Sequence, residues 1–481
     1  PTSPYRYLYG KIVRLTWDAK TEKLSNPVTL VSGLPAGNDH NGMRLKVGPD
    51  RHLYMTIGDQ GNNQLGNFCN PILAQRLPTK QEVVAKDWSA YEGKSLRFAL
   101  DGSIPADNPE LEGVVSHVWT YGHRNTQGID FGPDGTLYAA EHGPKTDDEI
   151  DVLVKGGNYG WPHVAGLRDD KAYEYARWAE AKNPPCSELR FSDAQIHPAV
   201  PREKETAYTK PFIEPIATLF TVPTGTNFED PKCKGVFYIC WPTVGISGVE
   251  YYGSSAIPGW DHVLLITALK RGSIYVLPLT ADHQKAAGHM WRYFQSENRY
   301  RDTAVSPDGK TIYVATDPDG LAESRTGGVT TNMLDKGAIL AFTYVSETGG
   351  DTGAAPTGPE TSASASIDRA AGDPPQFTRQ QAAEGKKAYE SRCAVCHGST
   401  LTNGTFGTPL GGPYFQEKWS GRTVAALFEK SQKTMPPAAP GSLAPGMYAN
   451  ILAYVLEVNG HTAGGVALPA GGAALEKMRI K

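Results

Sequence analysis

A large all-β repeat domain followed by a small all-α domain is the fold class this sequence of 481 residues predicts. Three observations carry that expectation. A Pro-Asp turn leading into an aromatic-bearing strand recurs along the first part of the chain. A stretch of small and polar residues from Ser346 to Pro375 interrupts the sequence. A helical pattern follows it, built around Cys393-Ala394-Val395-Cys396-His397.

Composition agrees with a turn-rich globular protein, with 52 Gly, 36 Pro, 40% hydrophobic and 20% charged residues. It excludes a collagen, a coiled coil and a disordered chain. No apolar run reaches the ~18 residues of a membrane helix, so no membrane span is expected. The opening Pro1-Thr2-Ser3-Pro4-Tyr5 carries no secretory signal pattern, so a leader has been cleaved or the numbering starts inside the gene product. The net charge is −4, and no nucleic acid is expected as a partner.

The repeat reads Gly48-Pro49-Asp50 to Tyr54, Gly132-Pro133-Asp134 to Tyr138 and Ser306-Pro307-Asp308 to Tyr313. Each is a tight turn followed by a strand. The prolines lie 84 and then 174 residues apart, near two and four units of ~43, the length of a four-stranded propeller blade. A β-propeller over residues 1–345 is therefore predicted. Val263–Thr267 and Ser273–Leu277 read as buried strands, and Ala172–Lys182 is the candidate helix of this domain.

Ser346–Pro375 is too poor in large apolar residues to offset its chain entropy and reads as a linker, bounded as 346–376. Residues 377–481 then turn helical. Thr378 with Gln381 forms a capping-box pattern ahead of Ala382–Arg392. Val424, Leu427 and Phe428 mark one apolar helix face; Met447, Ile451, Leu452, Val455 and Leu456 mark another, ending at Asn459-Gly460. From Phe377 onward, 11 Lys/Arg against 6 Asp/Glu give +5; the preceding 36 against 45 give −9.

Cys393-x-x-Cys396-His397 is a haem c attachment motif: two thioethers clamp the haem and His397 lies beneath the iron. The alternatives are a redox dithiol or half a zinc site, but His follows at once and no second C-x-x-C exists. Met435, on the Pro-rich Thr434-Met435-Pro436-Pro437, is the expected sixth ligand, and a Met/His pair raises the haem potential. Met447 reads as core. Covalent haem places the mature protein in the periplasm or outside the cell, where Cys233 and Cys240 are candidates for a disulfide. Whether Cys69 and Cys186 pair is left open.

The β domain also carries polar clusters on turns. Asp39 and His40 lie in one turn and Asp59 in another, a base and carboxylates that can meet, although His40 taken alone reads sooner as a surface or structural histidine. Arg299-Tyr300-Arg301 sets two guanidinium groups on one face of an extended segment. With Lys270-Arg271 this concentrates cations in an acidic domain, as a multiply carboxylated ligand would require; the bland reading is a solvated basic patch. Asp147-Asp148-Glu149 reads as a solvated run.

The stretches GDQGNNQL, GHRNTQG, HGPKTDDEI, GGNYGWPHVAG, CKGVFYICWPTV, LKRGSIY and NRYRD, in this order, resemble the soluble pyrroloquinoline-quinone (PQQ) glucose dehydrogenases over Tyr5 to Tyr344. The helical part resembles a small class I cytochrome c. The resemblance implies a six-bladed propeller that binds PQQ and calcium and oxidises an aldose at C1 to the lactone. It implies His40 as the general base, Asp59 as its orienting carboxylate, and Arg124 as the group stabilising charge on the quinone oxygen. Asn125, Lys270, Arg299, Arg301 and Thr316 would hold PQQ. The carbonyls of Gly143 and Pro144 would ligate the calcium that polarises it. Ala165 and Leu167 through carbonyls, with Asp169 and Glu205 through carboxylates, would form a second calcium site, though by sequence alone those two acids read as surface residues. Asp39, Gln64, Leu65, Tyr238 and Trp241 would line the sugar pocket. The residues matching the family's first blade are absent, so an open sheet edge is expected. Cys69 and Cys186 match no recognised family pair.

The expected function is a quinohaemoprotein sugar dehydrogenase. Electrons from an aldose pass through PQQ to the tethered haem c and on to an external acceptor, whether a cytochrome, a quinone or an artificial mediator. The tether raises the effective concentration of haem near the cleft, and the opposed charges of the two domains favour docking, weakened by salt. A homodimer is compatible with the sequence. The rivals are a non-catalytic electron-transfer or carbohydrate-binding protein and another propeller enzyme such as a lactonase. The cationic cluster argues against the lactonase.

Overall fold

Alternation of buried β-branched and aromatic residues with tight turns produces antiparallel meanders. The computed structural model describes residues 8–345 except 193–194, 223, 234, 289 and 325–327, and residues 373–480 except 399–400, 402–409, 412–414, 416–418, 420 and 437–439. The chain divides into two units, with the boundary after Val345. The linker expectation falls largely outside the described residues. Asp373, however, already pairs with Met478, so the helical unit begins before Phe377.

The first unit opens with a long hairpin, Leu8–Asp18 against Lys23–Ala36. Four sheets follow in chain order. The first comprises Gly42–Val47, Leu53–Ile57, Lys94–Phe98 and Val118–Tyr121, and the second Thr126–Phe131, Leu137–Glu141, Asp148–Val152 and Ala217–Leu219. The third comprises Ile246–Tyr252, Val263–Ala268, Ser273–Pro278 and Trp291–Tyr293, and the fourth Tyr300–Val305, Thr311–Thr316 and Ile339–Thr343. The first strands of successive sheets pack on one another, as the inner strands of propeller blades do. Gly128 permits this approach: a Cβ there would lie 2.6 Å from the amide nitrogen of Val249. Arg44 ties three inner strands together, donating from Nε to the Gln127 carbonyl at 3.0 Å and from Nη1 to Asp302.

The recurring Pro-Asp segment is the turn between the first and second strands of three of these sheets. Asp50, Asp134 and Asp308 accept from the amides of His52, Thr136 and Lys310 at 3.2, 3.0 and 3.0 Å. Its spacing does not count blades of ~43 residues. Pro49 and Pro133 mark successive sheets, and Pro133 and Pro307 lie two sheets apart. Long excursions, including 58–93, 153–216 and 220–245, stretch the interval, and these excursions carry the site.

Two residue-level readings are corrected. Ala172–Lys182 is not a helix but a two-residue strand, Tyr175–Ala176, and a single 3-10 turn, Trp178–Glu180. Asn63 holds it in that shape, donating to the Ala176 carbonyl at 2.8 Å and accepting from the Trp178 amide at 3.0 Å, while Trp178 packs into an apolar cluster. Tertiary contacts override local helix propensity here. Asp147, Asp148 and Glu149 are buried rather than solvated, because each has donors to satisfy it. Asp147 accepts from Thr146 Oγ1 at 2.7 Å and from Thr221, and Glu149 accepts from the Gly166 amide at 2.5 Å. Asp148 accepts from the amides of Gly143, Val244, Gly245 and Ile246 at 3.0, 2.8, 2.8 and 3.3 Å. Both cysteine pairs are disulfides, Cys69–Cys186 and Cys233–Cys240.

The second unit is helical. Arg379–Arg392 starts at Thr378, whose hydroxyl accepts from the Gln381 amide at 3.1 Å. The Gln381 side chain does not close the capping box; it bonds both backbone groups of Leu468. Val424–Thr434 buries Val424, Leu427 and Phe428, and Pro445–Val458 runs to its cap at Asn459. The first of these helices crosses Pro445–Val458 at Gly385, where a Cβ would lie 1.8 Å from the Asn450 carbonyl oxygen.

Candidate active site

His40 lies between the opening hairpin and the first sheet, and Asp59 follows the second strand of that sheet. Gly58 lets the two segments meet, since a Cβ there would lie 2.0 Å from the His40 carbonyl oxygen. His40 Nδ1 donates to Asp59 Oδ1 at 2.6 Å, and both side chains are buried. Asp59 also accepts from the Gly61 amide at 3.0 Å and from Trp161 Nε1 at 2.8 Å. His40 Nε2 accepts from Gln64 Nε2 at 3.1 Å, and the same amide donates to Asp39 Oδ2 at 3.3 Å. The carboxylate thus fixes the proton on Nδ1 and leaves the Nε2 lone pair facing the cavity. His40, Gln60, Asn63 and Leu65 all have positive φ. Such strain concentrates where surrounding contacts over-determine a functional loop.

The cations converge on the same space. Arg124 donates from Nη2 to Gln64 Oε1 at 3.0 Å and from Nη1 to the His142 carbonyl at 3.1 Å. Lys270 donates to the Trp241 carbonyl at 2.9 Å and to Thr243 Oγ1 at 2.7 Å. Burial pushes its ammonium down to about 8, opposed by the charges of Asp148 and Glu323. Arg299 and Arg301 share one carboxylate. Arg299 Nε reaches Asp317 Oδ2 at 3.0 Å, and Arg301 reaches Oδ1 and Oδ2 at 2.8 and 2.7 Å. Burial works to raise Asp317, but the bonds from Arg301 and Arg299 outweigh it and hold the carboxyl low.

A cavity of about 750 Å³ is lined by Asp39, His40, Gln64 and Leu65, by Arg124, Asn125, Gly143 and Pro144, and by Tyr238, Trp241, Lys270, Arg299 and Arg301. Thirteen sequence-selected residues therefore face one space. Asp59 lies behind His40, and Thr316 does not line the cavity; its hydroxyl is engaged with the backbone of Asp335 and Ala338. Arg124 Nε, Asn125 Oδ1 and His142 Nε2 are buried in the cavity region with no protein partner among the described residues. Buried polar atoms of this kind call for a polar occupant, and the cations fit an anionic one, so the residues present fit PQQ.

Several functional neighbours were not singled out by sequence. His142 lines the wall, and burial, followed by the charges of Arg124, His40, Lys270 and Arg301, holds it well below the usual imidazole range, hence neutral. Its position beside Gly143-Pro144 was the available signal. Gln127 and Phe191 also line the cavity. Phe191 had no local signal, since it arrives on a segment anchored by the Cys69–Cys186 bridge.

The second calcium set gathers on one loop pair. Glu205 is fully buried, contrary to its reading as a surface acid, and accepts from the amides of Ala165, Asp169 and Asp170 at 3.0, 3.3 and 2.8 Å. Burial pushes its carboxyl up to about 8 against those bonds. A group buried at this cost is suited to a cation. No cluster of three His, Cys, Asp or Glu with metal-binding spacing occurs among the described residues, so carbonyl oxygens would have to complete the set.

In the helical unit Cys393, His397 and Met435 line one apolar pocket with Leu410, Leu427, Leu443, Ile451, Leu452 and Val455. A cysteine thiol, an imidazole and a methionine thioether around a hydrophobic slot fit a c-type haem. Met447 is not among the lining residues and packs against the core. No described helix is long and apolar enough to cross a membrane.

A family model described as Glucose / Sorbosone dehydrogenase matches residues 8–187 and 218–323, and one described as Cytochrome C oxidase, cbb3-type, subunit III matches residues 380–455. The chain is 46% identical over 336 residues to quinoprotein glucose dehydrogenase B of Acinetobacter calcoaceticus, covering 69% of this chain and 70% of that protein. It is 30% identical over 288 residues to aldose sugar dehydrogenase YliI of Escherichia coli (strain K12), covering 59% and 58%. The PQQ-bound aldose sugar dehydrogenase structure from Streptomyces coelicolor matches with a TM-score of 0.41 at 24% identity, covering 66% of this chain and 70% of that one.

Proposed function

Because the chain belongs to the glucose/sorbosone dehydrogenase family and carries a cytochrome c domain, we propose that it oxidises an aldose at C1 to the lactone and delivers the electrons to its own haem. The observation that carries this reading is the union of the His40–Asp59 pair with Arg124, Lys270, Arg299 and Arg301 around one cavity.

PQQ, held by Asn125, Lys270, Arg299 and Arg301, would supply a hydride acceptor, and haem c, held by Cys393, His397 and Met435, would supply one-electron transfer to an external acceptor. The chain's own residues do the rest. Gln64 Nε2 lies 3.1 Å from His40 Nε2, marking where a sugar hydroxyl would sit. His40 Nε2 takes the proton of the C1 hydroxyl, and Asp59 stabilises the imidazolium that forms. Arg124, held by Gln64 and the His142 carbonyl, stabilises negative charge developing across the cavity. Lys270, Arg299 and Arg301, with Asn125, bind the acidic cofactor. Gly143 and Pro144 would offer carbonyls to calcium, and Asp39, Gln64, Leu65, Tyr238 and Trp241 would orient the sugar. A six-bladed closure and a periplasmic location belong to the same reading.

Reconstitution of the full chain with PQQ and calcium, followed by glucose and other aldoses, tests it. Haem absorbance should change to the reduced spectrum only when PQQ and sugar are both present. Reduction without PQQ, or none with any aldose, would overturn it.

A further inference from the structure

Trp161 stands where the base pair and Arg124 meet. Its indole Nε1–H donates to Asp59 Oδ2 at 2.8 Å, the carboxylate oxygen that His40 leaves free. Among the described residues no other donor reaches that oxygen. The face of the same ring carries the guanidinium of Arg124, with Cζ 5.4 Å from the ring centroid, a cation–π geometry. The ring is itself locked. The Trp161 amide donates to the Gly122 carbonyl at 3.0 Å, its carbonyl accepts from Gln75 Nε2 at 2.9 Å, and its side chain is buried.

We propose that Trp161 is a positioning residue of the dehydrogenase. One rigid indole fixes the carboxylate that orients His40 and, through its π face, the guanidinium on the other side of the reacting centre. The kinetic consequences rest on the dehydrogenase reading above; the effect on His40 does not.

The direction of the effect follows from the charges. An N–H directed at Oδ2 draws negative charge away from Oδ1, the oxygen facing His40. Removing it returns that charge and favours the imidazolium. A base that is already protonated cannot take the sugar's proton, so the acid limb of kcat/KM moves to higher pH. The groups bearing on this pair are Asp39 and Arg124 on the cavity side, His142 beyond them, and Glu92, Tyr173 and Tyr175 behind Asp59. Glu92 is pushed up to about 7 by burial and then by the charge of Asp59. Its charge bears on Asp59, so its contribution must be common to every variant compared.

The test compares full-length Trp161→Phe with Trp161→His, which keeps an N–H donor. In the apoprotein, ¹⁵N-histidine NMR, with the His40 signals assigned by their loss in His40→Gln, should show His40 becoming charged at a pH about one unit higher in Trp161→Phe. Trp161→His should return it toward the native value. In the reconstituted enzyme, kcat should fall about 10- to 100-fold in Trp161→Phe, with KM for glucose within about twofold and the acid limb shifted in parallel with the NMR titration. An unchanged His40 titration in both variants, with only a lower melting temperature, would overturn the proposal. If the native protein oxidises no aldose, the dehydrogenase reading fails while the NMR comparison still decides the role of Trp161.

Discussion

Replacing Asp59 by Asn is the sharpest perturbation of the proposed chemistry, because it alters charge and leaves shape alone. Asp59 is a pure acceptor surrounded by three donors: His40 Nδ1, the Gly61 amide and Trp161 Nε1, at 2.6, 3.0 and 2.8 Å. An amide cannot accept on both sides. If its oxygen faces Trp161, its NH2 faces Nδ1, and the imidazole proton moves to Nε2, where the lone pair is needed. If its oxygen faces His40, two N–H groups oppose each other at Trp161. Loss of a hydrogen bond to a charged group costs about 1.5–3 kcal/mol, a factor of roughly 10–150 in rate. Loss of the base altogether extends this to about 10²–10⁴. The assay is steady-state oxidation of glucose and of glucose deuterated at C1 by the PQQ-loaded full chain. In Asp59→Asn kcat should fall by that factor with PQQ affinity unchanged. A kcat within about threefold of native would refute the role of the pair.

Other expectations follow from the same geometry. PQQ affinity of the apoprotein should fall as pH rises through about 8, because the buried Lys270 loses the charge that holds an anion there. Lys270→Arg should abolish that alkaline fall, as measured by PQQ titration. Chelation of calcium should lower the melting temperature, and Glu205→Gln should make the protein insensitive to the chelator, as read by calorimetry. Met435→His should lower the haem potential, within the ~0.8 V range that axial ligands set, as read by potentiometric titration.

The chemistry-bearing residues were legible because their types and local spacing are distinctive. Cys393, His397 and Met435 do share one pocket, and Arg299 and Arg301 do present one face, to Asp317. The Pro-Asp turns were recognised as turns between strands, but not their count, since a spacing between motifs cannot separate a blade from a long excursion. Ala172–Lys182 failed as a helix because Asn63, more than 100 residues earlier, supplies its hydrogen bonds. Asp148 and Glu205 were misjudged for the same reason. A carboxylate is solvated unless amides from elsewhere converge on it, and those amides belong to Val244, Gly245 and Ile246 in one case and to the 165–170 loop in the other. Local sequence reports what a residue can do; the donors that let it be buried arrive from other sheets.

The carboxylates around the cavity resolve a difficulty that the cations alone would create. Four buried or half-buried cations gathered around one cavity would repel one another and lose their hydration. Asp317 balances Arg299 and Arg301 together, and Asp148, satisfied by four backbone amides, stands behind Lys270. Arg124 has no carboxylate among its bonds; it is held by Gln64, the His142 carbonyl and the face of Trp161. Asp317 and Asp148 thus stabilise three of the four positive charges without cancelling them, and a positive surplus remains around the cavity. Under the proposed function an anionic cofactor would then bind to groups already in place, while Arg124, the least compensated of the four, would keep its charge for the reacting centre.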